Sequence, residues 1–150
     1  MRVVPLDAFR DKLSIAATVA AVERGFRALA LGEAALPDPL VMASWVGPGT
    51  HITSVGTGSP EKIELEPALL ARADKLVADR VFQTERYGNL HHAIAAGLVT
   101  RDKVYAELGD LAAGRLPGRE NATEITVADL TGVGVQDAAI AQAVVEVLGL

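Results

Sequence analysis

The residues from Thr131 to Asp137 have a glycine spacing that could hold a phosphate. They run Thr-Gly-Val-Gly-Val-Gln-Asp and lie between a predicted strand and a predicted helix. In the dinucleotide fingerprint Gly-x-Gly-x-x-Gly, the third glycine lets helix and strand pack closely, and here Asp137 takes that place. A phosphate would also meet the negative charge of Asp137. We therefore interpret the segment as a left-handed turn with Asp137 stabilising the helix N-terminus, although exposed N–H groups would allow some anion affinity.

The three histidines do not have the spacing of a metal site. His91 and His92 are adjacent on a predicted helix, so their side chains point about 100° apart. His51 is isolated in the sequence. The chain has no cysteine, which excludes disulfides, thiolate ligands and cysteine nucleophiles. We expect packed or solvated histidines and no metal.

A segment rich in charge and glycine contains Arg115 and Arg119, each directly after a glycine. One interpretation is that one of these arginines holds an anionic ligand or a carboxylate near the sheet. The other is a helix end with solvated charges, and the chemistry of the residues alone favours this second interpretation.

The first element that must be positioned is a helix. Its apolar residues recur at steps of four, three, four and three, which places one apolar stripe along a helix. The stripe consists of Ile15, Val19, Val22, Phe26 and Leu29. Ser14 is the expected N-cap and Gly32 the expected stop. Pro37 and Pro39 then mark a boundary, giving residues 1–38 as an N-terminal helical arm and 39–150 as the main domain.

After the boundary, strand-like and helical segments alternate. We predict strands near 50–55, 75–79 and 124–130, and helices over 66–72, 83–96, 101–113 and 136–148. Such alternation with short connections predicts an α/β fold with about three parallel strands flanked by helices. Because a parallel sheet is normally covered on both faces, so small a sheet leaves an edge or face open, which favours a partner chain.

Composition excludes several classes of function. Fourteen basic residues stand against nineteen acidic ones, a formal charge of −5, and only 4% of residues are aromatic. These values argue against nucleic-acid binding. The uncharged span from Pro39 to Pro60 is long enough to cross a bilayer, but its glycines, prolines and hydroxyl residues are unsuited to a lipid-facing helix. Acidic residues also spoil the signal-peptide pattern near the N-terminus, so we expect a soluble cytoplasmic protein.

One long series of motifs resembles the ornithine cyclodeaminase/mu-crystallin family. It begins with Trp45-Val46-Gly47-Pro48-Gly49-Thr50-His51-Ile52-Thr53-Ser54-Val55-Gly56, then Ser59-Pro60, Lys62 and Glu64-Leu65. It continues through Asp79, Gln83, Gly88, His92-Ala93, Gly97, Glu107-Leu108-Gly109-Asp110, Gly114, Gly118-Arg119, Glu124-Ile125-Thr126-Val127, Thr131-Gly132 and Asp137-Ala138. The first helix also looks like that family's N-terminal segment. The resemblance covers nearly the whole chain.

The resemblance implies the remainder of a Rossmann-type sheet and chemistry with NAD or NADP. The family's enzymes deaminate and cyclise amino acids or reduce imines, so an amino acid or imine is the implied ligand and a homo-oligomer the implied assembly. Lys62 is in register with a lysine that contacts the cofactor. Val55, Gly56 and Leu130 are the other implied cofactor residues. Thr131 and Gly132 are implied on the substrate side.

The chain also departs from the family pattern. The aspartate that handles protons in the cyclodeaminases is replaced by Gly58, which has no titratable group. Glu61 and Glu64 are nearby carboxylates that could substitute. The sequence also passes from Pro37 almost directly into a segment that belongs late in the family's Rossmann half. The glycine-rich pyrophosphate turn and the residues that hold the substrate carboxylate are absent from the chain.

Two classes of function follow. In the first, the chain is an internally shortened NAD(P)-linked cyclodeaminase or imine reductase, impaired in catalysis on its own. In the second, it is a non-catalytic part of that fold used for ligand binding or association. A gene fragment with no independent role is a third possibility.

Overall fold

The protein was analysed as a computed structural model, which describes residues 14–33 and 39–149. Contacts between Cα atoms divide the chain into two compact units, residues 1–38 and 39–150. Each unit is described by itself.

The described part of the first unit is the helix α1, Ile15–Ala30. Ser14 caps it as expected, because its hydroxyl accepts a hydrogen bond from Ala17 N–H at 3.1 Å. Gly32, two residues after the last helical residue, adopts φ +70° and stops the helix as expected. Glu33 N–H donates to Ala28 C=O. No residue of α1 is buried, and its apolar stripe is exposed along its length.

The second unit is built on a parallel sheet of four strands. In chain order its elements are β1 His51–Ser54, α2 Pro67–Arg72, β2 Lys75–Ala78, α3 Val81–Thr84, α4 Asn89–Ala95, β3 Val104–Glu107, α5 Leu108–Ala112, β4 Thr126–Asp129 and α6 Gly134–Leu148. Short 3₁₀ turns lie at Ala43–Trp45 and Arg101–Lys103. The strand order is β1-β4-β2-β3, and all three pairings are parallel. The sheet confirms the predicted α/β class.

The number of strands differs from the prediction. Three strands lie within two residues of their predicted bounds, but the predicted helix 101–113 is wrong. It contains the fourth strand, β3, between a 3₁₀ turn and the short helix α5. Val104 and Tyr105 are β-formers, and Ala106 is buried against the sheet. Helix-forming residues on both sides of β3 outweighed its β-forming residues in the sequence pattern.

The predicted helix 83–96 is also divided. It forms α3 and α4, which are separated at Gly88. A Cβ built on Gly88 would lie 2.6 Å from Oδ2 of Asp129, so the backbone approaches this carboxylate more closely than any residue with a side chain allows. The helix is interrupted where the chain must pass this side chain.

One face of the sheet carries the hydrophobic core. The side chains of Leu76 and Val127 point to this face, where they pack with Leu69, Leu70 and Leu90 from α2 and α4. Burying each of these side chains contributes about 1.5–3 kcal/mol.

The opposite face lines a groove of about 390 Å³. The segment that follows α5 lies along it and is held by Lys75, whose buried amine donates to Gly118 C=O and to Glu120 Oε2, both at 2.5 Å. The hydrogen bond to Glu120 raises the pKa of Lys75 despite its burial. The two faces are therefore covered unequally, one by α2 and α4 and the other by the short helix α5 and the segment that follows it.

The helix α6 begins within two residues of its predicted start, with Asp137 in its first turn as expected. None of its residues is buried, and the predicted stripe of Ile140, Val144, Val147 and Leu148 is exposed.

Candidate functional site

The candidate site lies at the carboxyl ends of the strands. In open parallel α/β sheets, ligands bind in the crevice outside these strand ends. Two segments with predicted roles lie there: the loop 55–58 follows β1, and the turn 130–132 follows β4. Because β1 and β4 are neighbours in the sheet, the two segments leave it side by side, and Leu130 N–H donates to Ser54 C=O at 2.9 Å.

The loop after β1 is shaped by a carboxylate. Glu64 Oε2 accepts a hydrogen bond from Ser54 Oγ at 2.5 Å and another from Gly56 N–H at 2.9 Å. A Cβ on Gly56 would collide with this carboxylate. The glycine at position 56 is thus required for contact with Glu64, which fixes the direction in which the loop leaves the sheet.

A buried amide joins this loop to β4. Asn89 Oδ1 accepts from the N–H groups of Glu64 and Leu65, both at 2.9 Å. Its Nδ2 donates to Ser54 Oγ at 2.7 Å and to Asp129 Oδ1 at 2.8 Å. Every hydrogen-bonding position of the amide is therefore used, and Asn89 is fixed in one orientation.

Asp129 is fully buried at the end of β4. Its Oδ2 accepts from Leu90 N–H at 2.8 Å, and Oδ1 accepts from Asn89. Burial raises the pKa of Asp129 because it disfavours the charged form, and the nearby Asp79 carboxylate adds to the rise. The hydrogen bonds from Leu90 and Asn89 oppose this effect but do not cancel it.

A second carboxylate holds the turn after β4. Asp79 Oδ2 accepts from Thr131 N–H at 2.8 Å and from Gly132 N–H at 2.7 Å. Gln83 Nε2 donates to Thr131 Oγ1 at 2.9 Å and to Gly132 C=O at 2.6 Å. Gly132 adopts φ +85°, which confirms the left-handed turn interpretation.

Four of the six predicted ligand residues therefore form two neighbouring segments: Val55 with Gly56, and Thr131 with Gly132. Leu130 directly precedes Thr131, and its N–H group connects the two segments by donating to Ser54 C=O. Val55 is 71% exposed. Lys62 is exposed. Its carbonyl faces a ring nitrogen of His92 at 2.9 Å, and no hydrogen bond within residues 14–33 and 39–149 links Lys62 to either segment.

Gly58 is exposed, and a Cβ built on it would meet no atom within 4 Å. Of the two carboxylates suggested as substitutes, Glu61 is exposed and Glu64 is engaged with Ser54 and Gly56. Both of these bonds end on Oε2, and the carboxylate that shapes the loop is thereby fixed in place.

The remaining candidates have structural partners. Arg115 pairs with Asp110 at 2.6 Å, and this hydrogen bond lowers the pKa of Asp110. Arg119 donates to Gly49 C=O and to Thr126 Oγ1, whose oxygen also lies 2.7 Å from His51 Nδ1. Arg115 thus holds a neighbouring carboxylate and Arg119 ties its segment to the chain around β1 and β4, rather than being solvated charges. In the part of the chain that the structure describes, no three His, Asp or Glu residues are placed to hold a metal ion. Nor is any helix among these residues both long and apolar enough to cross a membrane.

Sequence reasoning assigned no role to three residues that organise this edge: Asp79, Asn89 and Asp129. A signal for two of them was available, since Asp79 and Asp129 each stand at the end of a β-rich run, immediately before a turn. Asn89 gave no such signal, because its partners are 24 to 40 residues away in sequence.

The edge suits a dinucleotide only in part. The N–H groups of Gly56, Thr131 and Gly132 are the backbone donors that a phosphate would use, and all three already donate to Glu64 or Asp79. These two carboxylates would also repel a phosphate. The exposed apolar surface of Val55 and the half-buried Leu130 suit an uncharged ring. The edge therefore fits the uncharged end of a dinucleotide but not its pyrophosphate.

Comparisons with a family profile and with known proteins indicate the same family. The profile of the Ornithine cyclodeaminase/mu-crystallin family matches residues 11–149. An uncharacterised cyclodeaminase of Sinorhizobium fredii is 53% identical over 103 residues, which are 69% of this chain and 31% of that protein. The iminosuccinate reductase of Paracoccus denitrificans is 51% identical over 109 residues, 73% of this chain and 33% of its own length. The chain thus spans about a third of the length of the curated relatives it matches.

Solved structures share the fold. The Paracoccus denitrificans iminosuccinate reductase in complex with NAD⁺ superposes with a TM-score of 0.66 at 52% identity, covering 72% of this chain and 33% of that one. An archaeal alanine dehydrogenase dimer with bound NAD gives a TM-score of 0.68 at 40% identity, with the same coverage of both chains. The four-stranded sheet is therefore Rossmann-like, as in these two neighbours, which are the proteins with bound NAD.

Proposed function

Because this chain belongs to the ornithine cyclodeaminase/mu-crystallin family, we propose that it carries part of an NAD(P)-linked site for oxidising an amino acid or reducing an imine. The observation that supports this most directly is the adjacency of the loop 55–58 and the turn 130–132 at the carboxyl edge of the sheet. On its own the chain is impaired in catalysis.

In this proposal four residues form the cofactor side of the site. Val55 and Leu130 provide apolar surface for the uncharged end of the cofactor, and Gly56 lets the loop follow Glu64. Lys62 supplies an exposed positive charge. The bound cofactor would supply the hydride acceptor or donor.

The substrate side belongs to Thr131 and Gly132. Asp79 and Gln83 hold their turn rigidly, so a small amino acid or imine would meet a fixed surface. No proton-transfer step is assigned to this edge, because Gly58 cannot titrate and Glu64 is bound to the loop.

Calorimetric titration with NADH and NADPH tests the cofactor part of the proposal. We expect binding weaker than a micromolar dissociation constant, which corresponds to about −8 kcal/mol, because the backbone donors are taken. Lys62→Ala should weaken the remaining affinity by about threefold or more, and Arg24→Ala on α1 is the charge-matched control. Micromolar binding, or equal binding by both variants, would contradict the proposed arrangement.

A second candidate function is a non-catalytic module for ligand binding or association. The exposed apolar stripes of α1 and α6 favour it, since large apolar patches commonly mark interaction sites. This candidate predicts association through these stripes, so a lysine placed in either stripe should lower the solution mass of the purified chain. A cytoplasmic location is part of both proposals and is tested by cell fractionation.

A further inference from the structure

The four-stranded sheet has two edges that differ in chemistry. At one edge is β3, which follows the charged residues Arg101, Asp102 and Lys103 and ends at Glu107. Its register with β2 is irregular between Leu76 and Val77. Charges and register irregularities are the features by which natural proteins prevent an edge strand from pairing with another chain. The β3 edge is thus protected.

The β1 edge has none of these features. Its strand His51–Ser54 lies within the stretch from Pro39 to Pro60, which contains no Asp, Glu, Lys or Arg. The strand β1 itself contains no proline, and it pairs with β4 in an unbroken register. Val55, which follows it directly, is 71% exposed.

The backbone groups on the outer side of β1 can be identified from its pairing with β4. Thr126 N–H donates to Thr50 C=O and Leu130 N–H to Ser54 C=O, so residues 50, 52 and 54 direct their backbone groups toward β4. The N–H and C=O groups of His51 and Thr53 therefore point away from the sheet. Within residues 14–33 and 39–149, the structure records no hydrogen bond to these four groups.

We propose that the β1 edge binds a second copy of this chain by antiparallel pairing of the two β1 strands. A two-fold axis at Ile52 places His51 opposite Thr53 of the other copy, and Thr53 opposite its His51. Both are hydrogen-bonded pairs, each exchanging two N–H···O=C bonds, so all four outward groups of each strand are satisfied.

The side chains suit this register. His51 and Thr53 lie on the groove face, where His51 Nε2 lies 3.0 Å from Thr53 Oγ1 of the same strand, so neither side chain brings an unpaired charge to the edge. Ile52 lies on the core face and would meet Ile52 of the second copy in a non-hydrogen-bonded pair, in which side chains come closest. No like charges oppose each other, because the strand carries none.

Sedimentation equilibrium over a wide concentration range tests this interface. We expect the average mass to rise from 15.6 kDa toward twice that value. Thr53→Pro removes an outward N–H without touching a bond to β4, and Thr53→Lys places a charge on the edge. Each should weaken the dimer at least about tenfold, and the lysine variant serves if proline perturbs folding. The controls Ile15→Lys and Val147→Lys charge the exposed stripes of α1 and α6 and should leave the dimer intact.

Cross-linking tests the register, because the chain has no cysteine of its own. Ile52→Cys places two thiols across the two-fold axis at about 4.5 Å between Cα atoms, within the range of a disulfide. We expect a covalent dimer from this variant but not from Ile15→Cys or Val147→Cys. A chain that stays monomeric at millimolar concentration would overturn the proposal. So would a dimer that the lysines on α1 or α6 dissolve while Thr53→Lys does not.

Discussion

At two positions of this protein, glycine is required because a side chain would collide with a carboxylate, and not because the backbone forms a turn. Gly56 and Gly88 have no positive φ, yet a Cβ on either would strike Glu64 or Asp129 respectively. Both carboxylates are held by hydrogen bonds, so neither can move without losing them. These glycines mark the closest approaches of the backbone to the polar network behind the candidate site.

Gly88→Ala tests this account. The new methyl group would displace Asp129, which is buried and short, so we expect a loss of about 1–3 kcal/mol in the free energy of unfolding. Gly109→Ala is the matched control, because Gly109 lies in the helix α5 with no atom within 4 Å of an added Cβ. That variant should be neutral or more stable by up to about 1 kcal/mol. Urea unfolding measures both, and equal losses would contradict the steric explanation.

The raised pKa of Asp129 predicts a pH dependence of stability. Its folded pKa lies above the ordinary value of about 3.9, so between those two values the folded state binds more protons than the unfolded state. The free energy of unfolding should therefore fall as pH rises from about 4 through the raised pKa.

Asp129→Asn removes this titration and should flatten the slope of the unfolding free energy between pH 4 and 7. The variant should also be less stable at all pH values, since an amide nitrogen would face donors that now bind a carboxylate. Asp102→Asn, at an exposed position, controls for the loss of one carboxyl group. An unchanged slope in Asp129→Asn would show that this residue does not titrate differently on folding.

At the level of elements, the helices contribute very unequally to the second unit. The helices α2 and α4 bury Leu69, Leu70 and Leu90 against one face of the sheet. By contrast, α6 is more than twice as long as α2 or α4, yet none of its residues is buried. Its length therefore says little about its contribution to stability.

Paired leucine substitutions test this difference. Leu76→Ala, at a fully buried site in β2, should cost about 2–5 kcal/mol because it removes packed atoms and leaves a cavity. Leu148→Ala, at an exposed site in α6, should change stability by no more than about 0.5 kcal/mol. The measurement is chemical denaturation of dilute protein. A large loss from Leu148→Ala would show that α6 is packed in solution.

For the molecule as a whole, the proposed function predicts little turnover. General acid–base groups typically contribute about 10²–10⁴-fold to rate, and Gly58 stands where the family resemblance implies an aspartate. Positioning of cofactor and substrate is a separate contribution, and the backbone donors of this edge are already used. The two deficits act on different steps, so correcting one leaves the other.

Gly58→Asp restores a carboxylate at this position and leaves the positioning deficit uncorrected. The site is open to a side chain, so the variant should fold like the unsubstituted chain and show the same melting temperature. NADH consumption with a cyclic imine, or NADH production from ornithine, should remain close to background for both proteins. Ordinary turnover by the unsubstituted chain would mean that Glu61, Glu64 or a partner supplies the missing group.

Local pattern in the sequence was sufficient for much of this fold. Ser14 and Gly32 bounded α1 correctly, and β-rich runs ending at a glycine turn or a polar residue located β1, β2 and β4. These features are local, because caps, turns and strand propensity act over a few residues. The family resemblance was confirmed by the match over residues 11–149, and the left-handed turn at Gly132 followed from its glycines.

Only the tertiary structure decided the rest. The strand β3 is fixed by its pairing with β2, because its β-forming residues stand between helix-forming segments and did not by themselves indicate a strand. The adjacency of β1 and β4 arises from residues 75 positions apart, and it alone brings Leu130 to Ser54. In the same way, the roles of Asn89 and Asp129 depend on partners distant in sequence. Hydrogen bonds between distant segments form only when the sheet assembles, so the sequence could name residues of the site but not what holds them.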